Sequence, residues 1–313
     1  MSNPVLKVVV TCTKQKRYAA PKELSVGSLK KGTIEERFAV WKDRLSAPPV
    51  EKCKAGDLYS GDHWVAVKSF NATKFDIKTW ITSAGYGLLE FDDLIAPYAA
   101  TFSKANSDSI FNKLNKEEQS NASKLWWKQL TSWRMTSHSR SLKSLARSRS
   151  SEPFLVVASD KYLLAIGDDL ADAANELDSS NLLSILSAGC KSLPGLNDNL
   201  LPCDARLQHV VGGARRSVNT RVASHLISTS SSLPNFSKLK SKLNKLMKDL
   251  PDLPVYDRSP VSDDEVLKYL ILELQKDSSK AHTPLLRKFR DGGRACEQSR
   301  FRGLYKQVKE EIS

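Results

Sequence analysis

The stretch Val5-Leu-Lys-Val-Val-Val-Thr-Cys12 places the tightest limit on what this chain can fold into. An apolar, β-branched run of this length reads as a buried strand, and it empties into the basic loop Thr13-Lys-Gln-Lys-Arg17. In an open α/β sheet, ligands sit at the carboxyl ends of strands, which draws attention to Lys14 and Lys16. Residues 79–83 read as a second buried strand, stopped by Ala84-Gly-Tyr-Gly87. Residues 154–159 give another strand, and 163–166 a hairpin partner or neighbour for it. Residues 34–45 and 116–133 carry apolar positions at helical spacing. The expected class is α/β, with a small mixed-sheet core and helices over 1–150. A second α/β lobe is expected over 151–235 and a helical, basic nucleic-acid-binding region over 236–313.

The charge balance indicates the partner. Among 313 residues, 48 Lys and Arg face 35 Asp and Glu, a formal net charge of +13. Such an excess favours a polyanion, because each cation placed on a phosphate releases a condensed counterion. Nucleic acid is expected rather than membrane, since no apolar run reaches the ~18 residues of a spanning helix. The start lacks a basic segment followed by an apolar core, so a cytoplasmic location is expected. Five scattered cysteines without a C-x-x-C pair, and five histidines without H-x-E or H-E-x-x-H, argue against zinc knuckles, zinc deaminases and zincins. No metal or cofactor is expected. P-loop, G-x-S-x-G and dinucleotide fingerprints are absent from the sequence.

Against this basic background, Glu90, Asp92 and Asp93 stand out, clustered after the glycine-broken strand and flanked by Tyr86 and Tyr98. Acids in a polyanion-binding protein oppose binding unless they have a task. Stabilising an oxocarbenium-like sugar while activating water is one such task; capping a helix near Leu94 is another. Further basic positions are Arg215, Arg216 and Arg221 after the Gly212-Gly213 pair, where a helix start suits phosphate. Residues 236–250 read as a basic amphipathic helix. Arg287, Arg290, Arg294, Arg300 and Arg302 interleave with aromatics around Gly292-Gly293, in an order like helix-turn-helix. The basic segment 137–151, with Arg140, Lys143, Arg147 and Arg149, reads as an exposed loop or a frayed helix.

Thr11-Cys-Thr-Lys-Gln-Lys16, Leu58-Tyr-Ser-Gly61 and Ser83-Ala-Gly-Tyr-Gly-Leu-Leu-Glu-Phe-Asp-Asp-Leu-Ile-Ala-Pro-Tyr98 resemble a bacterial domain family with the pattern C-T-K-x-K, L-Y-x-G, S-A-x-Y-G-L-L-x-P-D-x-x-I-x-P-Y. The pattern is similar to the core of the YaaA peroxide-stress family, whose members bind DNA. It looks more distantly like a domain associated with archaeosine synthase and archaeal tRNA-guanine transglycosylase. The resemblance covers roughly the first third of the chain. Phe91 stands where the pattern has proline, and Asp93 matches the acid of one family while Asp92 matches that of the other.

The resemblance implies nucleobase and N-glycosidic chemistry, with a phage-defence DNA glycosylase acting on glucosylated hydroxymethylcytosine as the closest functional analogue. The leading expectation is a DNA glycosylase holding a flipped nucleotide of double-stranded phage DNA. Asp93 or Asp92, with Glu90 as a third candidate, would stabilise the cation and activate water. Tyr86, Tyr98 and Ser83 would contact the base, and Arg215, Arg216, Arg221, Arg287, Arg290, Arg294 and Arg300, with Lys14 and Lys16, would contact phosphates. The lysines near these motifs lie in polar sequence, so a desolvated amine is not expected and the product would be an uncut abasic site. A non-enzymatic DNA-binding or DNA-bending stress protein and an RNA nucleosidase or transglycosylase are the rival readings.

Overall fold

A computed structural model describes residues 3–133, 141–253 and 257–312. The chain divides into two compact units, Met1–Pro251 and Asp252–Ser313. The larger is an α/β unit built on one mixed five-stranded sheet.

Five strands form that sheet: β1 (Val5–Thr11), β2 (Asp76–Ser83), β3 (Gly87–Glu90), β4 (Phe154–Val157) and β5 (Leu183–Leu186). Their order is β3-β2-β1-β4-β5. β2, β1, β4 and β5 run parallel, and β3 returns antiparallel along one edge. β1 is central, and Val8, Val9 and Val10 are buried, as expected of a parallel strand covered on both faces. The chain leaves β1 towards β2 on one side and supplies β4 and β5 on the other. The order therefore reverses between β1 and β4, at whose carboxyl ends a crevice opens.

The helices packed with this sheet are α1 (Ile34–Ser46), α2 (Asp62–Lys68), α3 (Ala122–Ser132), α4 (Leu142–Ser148), α5 (Asp160–Glu176), α6 (Val218–Ser228) and α7 (Phe236–Met247). Helix α1 begins with a capping box in which Thr33 and Glu36 satisfy each other's amides. Two tryptophans brace the turn after β2: Trp41 of α1 donates its indole N–H to the Gly85 carbonyl, and Trp126 of α3 to that of Ala84, both at 2.8 Å. In the smaller unit, α8 (Asp263–Lys276), α9 (His282–Asp291) and α10 (Gln298–Ile312) enclose a separate core around Leu270, Phe289 and Phe301.

Three expectations need correction. Residues 151–235 are not a second lobe: β4 and β5 complete the same sheet as β1, and the division falls at Pro251. Residues 163–166 belong to α5 rather than to a strand, because their apolar positions continue as Leu163, Ile166, Leu170 and Ala173, one buried helical face. No helix begins near Leu94; Leu94–Ile95 pairs with Cys53–Lys54 as a short antiparallel bridge. In the expected basic segment, residues 142–148 are helical, Arg147 pairs with Glu176 and Arg149 with Glu152, while Arg140 lies outside the described residues.

Candidate functional site

The loop after β1 folds back onto residues 58–60. The Arg17 amide donates to the Leu58 carbonyl at 2.9 Å, and the Ser60 amide to that of Gln15 at 3.0 Å. Gly61 takes a positive φ of 89° directly against the Gln15 side chain, a place where a Cβ would collide. This hairpin-like return sets Lys16 beside Tyr59, and the Lys16 Nζ lies 5.6 Å from the centre of that ring. The centre of the Tyr98 ring is nearer, at 4.4 Å.

Beneath the lysine is a buried hydroxyl cluster. Ser83 Oγ accepts from the amides of Gly85 at 3.2 Å and Tyr86 at 3.1 Å, which occupies both its lone pairs. Its own hydrogen therefore goes to Tyr98 Oη, 2.6 Å away, and Tyr98 in turn donates to Tyr59 Oη at 2.9 Å. Burial pushes the Tyr59 and Tyr98 phenols well above their usual range, so both stay protonated at neutral pH. Tyr86 Oη accepts from the Ala96 amide and donates to its carbonyl, and its ring packs edge-on against Tyr98. A Cβ on Gly85 would meet the Tyr98 ring at 2.4 Å, so that position admits only glycine without rearrangement.

A pocket of about 250 Å³ opens above this cluster at the switch point between β1 and β4. Cys12, immediately after β1, and Tyr162, in the first turn of α5 after β4, meet there with Sγ and Oη 3.0 Å apart. Lys14, Lys16, Asn106 and Asp108 also line it. The Asp108 carboxylate accepts from Ser25 Oγ, and its amide donates to Asn106 Oδ1 at 2.9 Å. Lys16 is held by the Thr13 carbonyl at 3.2 Å, and desolvation lowers its proton affinity below that of an ordinary lysine. The expectation that no lysine near the motifs is desolvated is overturned here, because Tyr59 and Tyr98 cover Lys16.

The acidic cluster lies elsewhere. In the β2–β3 hairpin Gly87 pairs with Ser83 while Glu90 pairs with Trp80, about 10 Å further towards the amino end of β2. Asp93 accepts from the Glu90 amide at 2.7 Å, and its carbonyl accepts from the Ala55 amide at 2.8 Å, closing a turn. The Asp92 side chain is 75% exposed and pairs with Lys54 at 2.8 Å. Glu90 and Asp92 line an open groove of about 600 Å³ along the sheet edge, with Lys68, Lys78, Trp80 and Phe91. The structure brings Ser83, Tyr86, Tyr98 and Lys16 together and leaves Glu90, Asp92 and Asp93 apart from them. Ser83, Tyr86 and Tyr98 are buried, so a stacking role for these tyrosines on an extruded base does not fit; only Tyr98 reaches the pocket, as part of its wall.

The expected phosphate contacts divide as well. Lys14, Arg215, Arg216 and Arg287 are exposed, and no ion pair engages them among the described residues. Arg221 is bound to Asp62, which also accepts from Ser217 and is held down to a pKa of about 2 by these donors. Arg290 donates to the Cys296 carbonyl, Arg300 to Asp263, and Arg294 lies over the rings of Phe289 and Tyr269.

Sequence reasoning missed Cys12, Asn106, Asp108 and Tyr162 as pocket residues, and used Tyr59 only as part of a motif. Cys12 and Tyr162 each follow the carboxyl end of a parallel strand, a signal that was readable once β1 and β4 were known to be neighbours; nothing in the sequence marks Asp108. Among the described residues, no group of three or more His, Cys, Asp and Glu side chains is placed to hold a metal, and no helix is long and apolar enough to cross a membrane. No protein-family model matches the chain, and a search of curated proteins finds no match to it.

Proposed function

We propose that the protein is a DNA glycosylase that excises a base from double-stranded DNA, with the base held in the pocket between β1 and β4. The observation that carries this reading is the pocket itself. It sits where an open α/β sheet places its ligand, has one carboxylate, Asp108, and one shielded amine, Lys16, in its wall, and belongs to a unit with thirty-six Lys and Arg against twenty-four Asp and Glu. Its volume suits a single flipped base.

Asp108 takes the task first assigned to the motif acids, stabilising positive charge on the sugar as the glycosidic bond breaks. Asp92 and Asp93 act structurally, through the Lys54 pair and the turn at Glu90. Lys14, Arg215 and Arg216 supply phosphate contacts. Tyr98 and Ser83 position the floor under Lys16. The choice of a modified base in phage DNA rests on the motif resemblance, and an antiviral role rests on it too.

Incubation with phage DNA carrying glucosylated hydroxymethylcytosine, and with unmodified plasmid DNA, tests the reading. Free base, with an abasic site or a strand break left at each excised position, is expected from the phage DNA, and Asp108→Asn should slow release by about two orders of magnitude. Tight, salt-sensitive binding without base release from either DNA would overturn the enzymatic reading in favour of a DNA-binding protein.

A further inference from the structure

Two lysines line the pocket, and their surroundings differ. Lys14 is exposed. Lys16 has its Nζ folded inward over Tyr98 and Tyr59, with one hydrogen bond, to the Thr13 carbonyl, and no carboxylate paired with it among the described residues. An amine tethered by one carbonyl, on a floor of protonated phenols and facing a cavity, is free to turn its lone pair on a bound electrophile. Lys7, a buried structural cation, differs in carrying a carboxylate partner, Glu152.

We propose that Lys16 is a covalent amine site whose Nζ attacks C1′ of the nucleotide in the pocket, so that base excision is followed by cleavage of the strand. This rests on the glycosylase reading above. The Nζ lone pair forms a bond to C1′ while the bond from C1′ to the base breaks, and the base leaves with that electron pair and a proton. The sugar ring opens as O4′ takes the C1′–O4′ pair and a proton, leaving a protonated imine between Nζ and C1′. Loss of the C2′ proton then expels the 3′ phosphate, and water hydrolyses the imine to return the free lysine. The step needs an unprotonated amine. Desolvation against the phenol rings favours that form, partly offset by Cys12 and Asp108.

The probe is a duplex oligonucleotide containing one preformed abasic site, whose aldehyde at C1′ loses its oxygen as water when the amine condenses with it. Borohydride supplies hydride to the imine carbon and fixes the adduct as a secondary amine. A covalent protein–DNA species is expected from the full-length protein, with the modification mapped by peptide mass to Lys16. Lys16→Arg keeps a cation over the rings and should lower trapping at least a hundredfold. The peptide map of the unaltered protein decides the matter even if that variant folds poorly. Absence of any adduct, an adduct mapped to Lys14, or undiminished trapping by a folded Lys16→Arg variant would each overturn the proposal. Base release from phage DNA, measured separately, tells the two readings apart: release without trapping removes only the covalent lysine, and trapping without release removes the glycosylase reading.

Discussion

The two units of the chain differ in how much unbalanced positive charge they carry. Residues 252–313 hold twelve Lys and Arg against eleven Asp and Glu, so nearly all of the +13 excess belongs to residues 1–251. The small unit looks basic because its arginines are crowded, yet Arg290, Arg294 and Arg300 are committed to a carbonyl, two aromatic rings and an aspartate of the same unit. A short segment buries little apolar surface, and side chains that brace its few helices compensate. The large unit has a full sheet for its core and leaves cations in solvent. On α7, Leu239 and Leu243 are buried, while Lys240, Lys245 and, just past the helix end, Lys248 are exposed without a carboxylate partner among the described residues. Because the apolar face of α7 is already in the core, a membrane surface cannot claim it, and its lysines suit phosphates. On the function proposed above, free charge rather than formal charge marks the surface offered to DNA.

The largest effect that would sharpen this contrast is catalytic. Asp108→Asn in the large unit should reduce base release by about two orders of magnitude, whereas Asp92→Asn, which breaks only the surface pair with Lys54, should stay within a few-fold. Equal losses in both variants would return the chemistry to the hairpin groove. Binding comes next. Charge reversal at Arg215, Arg216 and Lys245 together should flatten the log-log salt dependence of duplex affinity by about 0.9 for each phosphate no longer neutralised. Arg300→Gln in the small unit, where the arginine is already committed to Asp263, should leave the slope unchanged, and a comparable flattening there would erase the distinction between the units.

Stability provides the smaller effects. Asp62 is held below its ordinary pKa by Arg221 and Ser217, so its contribution is fully present above about pH 4 and fades as pH falls towards 2. Asp62→Asn should therefore cost about 2 kcal/mol near neutrality and little near pH 2, read as midpoints of denaturant unfolding at the two pH values. Arg294→Met removes the cation from the faces of Tyr269 and Phe289, at a cost of about 1 kcal/mol confined to the small unit, with DNA affinity unchanged. Weakened binding in that variant would place the small unit on the DNA after all.

Much of the sheet was legible because its strands are short, apolar and punctuated: β1 by its valines, β2 by the glycines that follow it. Leu163–Ile166 misled because four apolar residues satisfy both periods, and only the continuation to Leu170 and Ala173 selects the helix. The site was legible in part. The motif around Ser83 and Tyr98 did mark the pocket floor, but which of its polar groups face outward depends on Tyr59 and Lys16, brought in from earlier in the chain by the return at Gly61. Asp92 and Asp93 stand out as a charge cluster, although the antiparallel turn carries them away from Ser83. Lys16 reads as an ordinary surface lysine from its polar neighbours in sequence, yet its neighbours in space are two phenols.

The central position of β1 also has a consequence for synthesis on the ribosome. Its two partners are made far apart: β2 ends at Ser83 and β4 begins at Phe154. A nascent chain that has paired β1 with β2 must wait for some seventy more residues before the other edge is covered, on the order of ten seconds at ordinary translation rates. During that interval Val8 and Val10 lie along an open, apolar edge, the kind that recruits other strands. Synonymous changes that slow translation between these two strands should therefore lower soluble yield without altering a single residue of the finished protein.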